Sequence, residues 1–96
     1  MVTKEEALIK AQEKLNEGNR HPFATFESVI MEEFTIETEK LWIFFHSSRE
    51  FVETRSPEHM VAGNAPIAVS KREGRLYVTG TALPIEEYIR KIESTI

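Results

Sequence analysis

Apolar residues recur first at helical spacing and then by alternation as the chain is read from its start. Ala7, Leu8, Ala11 and Leu15 form one narrow stripe on a helix. Thr3 is an N-cap residue, and Glu6 three positions on completes a capping box. Gly18 is expected to stop this helix, and His21-Pro22 falls in the connection.

From Phe26 the pattern becomes β-like. "FESVIMEEF" and "LWIFFHS" are rich in β-branched and aromatic residues and flank the polar stretch "TIETEK". They predict a hairpin with strands near 26–34 and 41–47. In the second strand Trp42 and Phe44 point one way, while Leu41, Ile43 and Phe45 point the other. A strand apolar on both sides is central and covered twice. Two helices can cover one face; the loop after residue 48, a second copy of the chain or a partner would have to cover the other.

Residues 48–62, "SREFVETRSPEHMVA", are too apolar for a freely solvated loop, and a short strand near Phe51 with a turn at Ser56-Pro57 is expected. "PIAVSKREGRLYVTG" then predicts a second hairpin, turning at Lys71 to Gly74, with Gly74 as the left-handed residue. "LPIEEYIRKIESTI" is helical, with Pro84 in the first turn and Ile85, Tyr88, Ile89 and Ile92 on one face. Glu86 and Arg90, and Glu87 and Lys91, stand at the i,i+4 spacing of stabilising pairs. Ala82 and Leu83 offer no cap, so Thr81 would have to serve. The order α-β-β-β-β-α indicates an α+β fold over residues 1–96 as a single domain, an antiparallel sheet of about four strands packed with the N- and C-terminal helices.

Charge and composition narrow the function. A net charge of −4 argues against nucleic acid, which needs clustered Lys and Arg, and leaves a basic protein partner open. With no cysteine there are no disulfides or thiolate metal sites. The start, "MVTKEEALIK", lacks the apolar core of a signal peptide, and no run is long enough to span a membrane. A cytoplasmic chain is expected.

Catalytic and metal chemistry find little support. His21, His46 and His59 lie on different elements without metal-ligand spacing, so no metal and no cofactor are expected. Ser47 and Ser48 adjoin His46, but strand neighbours face opposite sides. Carboxylates are more informative: Glu27, Glu32, Glu33, Glu37 and Glu39 precede the first cation of this stretch, Lys40. Glu32, Glu33, Glu37 and Glu39 are the candidate partner-binding residues, an acidic hairpin rim able to steer a basic partner; a solvated edge protected from aggregation is the alternative. Trp42 is expected in the core. "GNAP" precedes a strand rather than a helix, and Pro66 has no N–H, so it is a rigid turn with positive φ at Gly63 or Asn64, not a phosphate loop.

The run "AGNAPIAVSKREGRLYVTGTALPIEEYIRKIE" carries a resemblance. Gly63, Asn64 and Pro66, then Gly74, then Gly80, Thr81 and Pro84 followed by Glu87, Tyr88 and Ile89, are similar to the signature of the Immunity protein 35 domain family, also called the YrhB family. The alanine-bearing first helix, the strand with Trp42 and "REFVETR" fit as well, although Leu41 stands where the family often has Gly. The resemblance implies a small bacterial protein, without catalytic residues, that blocks a cognate polymorphic toxin by binding it; the residues leave both a monomer and a homodimer open. From the residues themselves, the two-sided strand at 41–45 leaves a second possibility: a chaperone-like protein holding unfolded clients on an apolar sheet face.

Overall fold

A computed structural model describes residues 1–60 and 64–96. The order is α1 (Lys4–Asn19), β1 (Ser28–Ile30), a 3-10 turn (Glu32–Phe34), β2 (Ile36–Glu37), β3 (Leu41–Phe44) and β4 (His46–Ser48). Then come α2 (Arg49–Thr54), a 3-10 turn (Pro57–His59), β5 (Ile67–Ser70), β6 (Leu76–Val78) and α3 (Ile85–Glu93). The fold is α+β, with an antiparallel four-stranded sheet in the order β2-β3-β5-β6 and a separate antiparallel pair, β1-β4. Val61, Ala62 and Gly63, and with them the expected positive φ at Gly63 or Asn64, which depends on Gly63, lie outside the described residues.

Local signals account for several boundaries. The Thr3 hydroxyl accepts from the Glu6 N–H, and the Glu6 carboxylate accepts in return from the Thr3 N–H, closing the capping box. Gly18 does not stop α1. The helix runs to Asn19, and Arg20, in right-handed conformation, supplies the cap. The β5–β6 hairpin turns at Gly74 with φ +69°, as its spacing predicts. Pro84 precedes α3 instead of entering its first turn, no side chain caps that end, and the ion pair formed is Glu87–Arg90, at i,i+3.

The expected hairpin of 26–34 with 41–47 forms in part: Val29 and Ile30 pair antiparallel with Ser47 and His46, but residues 41–44 do not pair with 26–34. β3 turns back onto the two-residue β2, while β1 pairs with β4. The extended run 41–48 changes neighbours at Phe45: Leu41–Phe44 lie beside β2 and β5, and His46–Ser48 lie beside β1. Strands that switch sheets make such corners. Residues 32–34, expected in a strand, instead make the 3-10 turn that separates β1 from β2. The strand expected near Phe51 is α2, because the Ser48 hydroxyl accepts from the Phe51 N–H and starts a helix.

The alternation in β3 holds, and both faces are covered. Phe44 and Trp42 join Ile67, Val69, Ile30, Ala7 and Ala11 beneath α1. Leu41, Ile43 and Ala68 form a second layer against Ile85, Ile89 and Ile92 of α3. The terminal helices therefore lie on opposite faces of the sheet, and not together on one. A chain of this size can bury two thin apolar layers, one on each side of β3 and β5, the two central strands.

Candidate partner-binding surface

Residues 32–39 run along one margin of the sheet. The first of them, Glu32 to Phe34, form the 3-10 turn; Ile36 packs under α3; Glu37 follows in β2, an edge strand. Glu32, Glu33, Glu37 and Glu39 are all exposed. The fold brings cations to three of them from distant parts of the chain. Glu33 pairs with Arg55, and Glu37 accepts from Lys71 Nζ at 2.6 Å. Glu32 lies 3.8 Å from Lys4 Nζ. Glu39 makes no ion pair among the described residues. In the preceding segment Glu27 takes a two-pronged bond from Arg49, 2.7 and 2.8 Å, which holds its carboxyl below the usual range and the guanidinium above its own.

These pairs differ in what surrounds them. Lys71 is almost buried, with Nζ 4.5 Å above the Trp42 ring, and the Trp42 indole N–H donates to the Val2 carbonyl at 3.3 Å. This ties Glu37 to the hairpin turns and the N-terminal segment. Arg55 occupies a left-handed conformation at the end of α2 (φ 59°), a geometry usually given to glycine. Its guanidinium sits 5.9 Å from the Phe34 ring centroid and 5.8 Å from that of Phe51. Phe34, Phe51 and Arg55 were not among the candidate partner-binding residues read from sequence. An aromatic directly after two exposed glutamates was the available signal.

The family-signature residues cluster elsewhere and hold one another. The Asn64 amide reaches the His46 carbonyl at 3.4 Å, and His46 Nε2–H donates to the Ala65 carbonyl at 2.9 Å. The Thr79 hydroxyl and N–H both donate to the Pro66 carbonyl. Gly80 faces the Tyr88 ring tip, which leaves no room for a Cβ. Thr81 and Pro84 are exposed in the connection to α3. Trp42 is half-buried on the α1 side.

The histidines and serines stay apart. His21 Nδ1 accepts from the Phe23 N–H, and His59 lies beside Glu58. Ser48 donates to the His59 carbonyl while capping α2. Ser47 is buried on the opposite side of its strand from His46, and its hydroxyl has no hydrogen-bond partner among the described residues. Among the described residues no group of His, Asp and Glu could hold a metal ion, and no helix is long and apolar enough to cross a membrane.

Comparison with known proteins adds a lineage to this geometry. The family described as Immunity protein 35 matches residues 5–91. The uncharacterized protein YrhB of Escherichia coli (strain K12) is 42% identical over 52 residues, covering 54% of this chain and 55% of YrhB. The chain thus spans about half the length of the curated relative it matches. No solved structure matches.

Proposed function

Because this chain belongs to the Immunity protein 35 family, we propose that it is a non-enzymatic bacterial binding protein, working in the cytoplasm as a monomer or homodimer, that neutralises a cognate polymorphic toxin by occluding it. The observation that carries this is the state of the carboxylates at the sheet margin. Glu32, Glu33 and Glu37 keep side-chain exposures of 66%, 53% and 59% despite their cation partners. The pairs of Glu32 and Glu33 have exposed partners on both sides, and such pairs contribute about 0–1 kcal/mol, so giving up the internal cation for one on a partner costs little there. A basic toxin domain would be steered to this margin and held there.

Co-expression with the product of the neighbouring reading frame, which the proposal expects to be a toxin, tests it. Wild-type protein should form a stable complex and restore growth, while simultaneous Glu→Lys changes at Glu32, Glu33, Glu37 and Glu39 should abolish both. Equal protection by the reversed protein would overturn the role of the acidic margin. The chaperone-like alternative loses its motivation, since the apolar sheet face that prompted it lies under Ile85, Ile89 and Ile92 of α3.

A further inference from the structure

The acidic margin adjoins a patch of aromatic surface. Phe34 follows Glu33 at the end of the 3-10 turn and remains 52% exposed after packing. Phe51, in the first turn of α2, and Met31 are half-buried beside it. Arg55 joins the three: its guanidinium contacts both rings, one terminal nitrogen lies 3.8 Å from the Met31 sulfur, and the other pairs with Glu33. Its Nε donates to the Val52 carbonyl at 3.2 Å. The cation is thus neutralised and fixed in place, and the outer side of Phe34 is surface that the fold does not use.

Charge says what kind of molecule such a patch fits. Residues 27–60 hold eight carboxylates against three Lys or Arg, a net −5. The rest of the chain, eight against nine, carries +1. The whole excess of negative charge therefore belongs to the segments that build and flank this patch. Interface anchors are enriched in aromatic residues, Met and Arg, surrounded by a polar rim that excludes water.

We propose that Phe34, Phe51 and Met31, arranged around Arg55, form the anchor point of the binding surface and receive an apolar side chain from a partner protein segment flanked by Lys or Arg. Glu32 and the Glu33 Oε1 oxygen, which Arg55 does not use, meet the flanking cations, and Phe34 takes the apolar residue against its open side. This rests on the protein-binding role proposed above but not on the partner being a toxin.

A synthetic helical peptide of Leu and Lys heptads is the probe, with its Leu and Glu counterpart as control. In a 15N-NMR titration of the intact chain, the Leu-Lys peptide should shift resonances of residues 31–34 and 51–55 most. Phe34→Ala should weaken binding about tenfold or more, as expected of an anchor, and Phe34→Lys should abolish it. Phe23→Ala, a change at an 84% exposed phenylalanine outside the patch, should leave it unaltered. The proposal is overturned if the peptide does not bind, if the shifts centre elsewhere, if Phe34→Ala and Phe23→Ala act alike, or if the Leu-Glu peptide binds equally well. A folded Phe34→Lys spectrum with binding retained would also overturn it. Peptide binding without toxin protection would remove only the toxin role; toxin protection that ignores Phe34 would remove only the anchor.

Discussion

Gly80 shows how one contact accounts for two signature positions. A Cβ there would stand 2.5 Å from the Tyr88 hydroxyl oxygen and 3.0 Å from its Cζ, closer than packed atoms approach. Gly80→Ala should therefore cost about 1–3 kcal/mol through overpacking, read as a lower urea midpoint. Tyr88→Phe removes the nearest atom, so the double variant should lose less than the sum of the single changes. A wild-type midpoint for Gly80→Ala would show that Tyr88 simply moves aside. The same economy holds at Asn64 and Pro66, whose bonds to His46 and Thr79 anchor the entry to β5. The signature was readable as structural from its residue types: turn residues before a strand, and no convergent N–H groups. Its contacts were not readable, because His46 is remote in sequence and helical periodicity places Tyr88 on the apolar face of α3 without saying that its hydroxyl end meets Gly80.

At the scale of elements, α3 and the Glu27–Arg49 pair make distinct demands. Ile85 and Ile89 cover Leu41, Ile43 and Ala68. Replacing both by Ser should lower stability by about 2–4 kcal/mol and should raise the fluorescence of a hydrophobic dye with the uncovered sheet. A variant that stays as stable and as dark as the parent would contradict this packing. Glu27 joins the approach to β1 to the start of α2, since its carbonyl also accepts from the Arg49 N–H at 2.8 Å. Its carboxyl titrates below the ordinary value of 4.5, chiefly because of the hydrogen bonds from Arg49. A folded pKa below the unfolded one gives stability that is present above about pH 4.5 and is lost as pH falls through the lowered value. Glu27→Gln should therefore be less stable than wild type at pH 7, and the gap should narrow as pH falls below 4.5 in urea titrations. A gap that does not change with pH would assign the effect to something other than charge.

Much of this level was legible in the chain. The alternation from Leu41 to Phe45 assigned each side chain to its face, and Thr3 with Glu6 marked the start of α1. The corner at Phe45 was not legible, since alternation continues through it while only the hydrogen-bonding neighbour changes. Nor does an amphipathic stripe say which face of a sheet its helix will cover, so the opposite placement of α1 and α3 had to be seen. β1 illustrates the same limit. Its outer backbone is bonded by the Gln12 and Asn19 side chains of α1, a strand edge closed by two polar residues that periodicity assigns only to a helix surface.

For the whole molecule, the sheet faces are occupied by α1 and α3, and the surface proposed to meet a partner is the margin from Glu32 to Glu39 with the neighbouring aromatic patch. The acidic residues were legible as a run; their exposed pairing with Lys4, Arg55 and Lys71 was not, because those cations come from other elements. The most direct test is a stopped-flow measurement of association with a toxin domain encoded beside this chain, as a function of salt. Electrostatic steering predicts a one-to-one complex whose association rate falls steeply as ionic strength rises, with Glu32, Glu33, Glu37 and Glu39 reversed to Lys slowing it by about tenfold or more at low salt. An association rate indifferent to salt and to the four reversals, or no complex at all, would contradict the claim that this margin is where the protein binds its toxin.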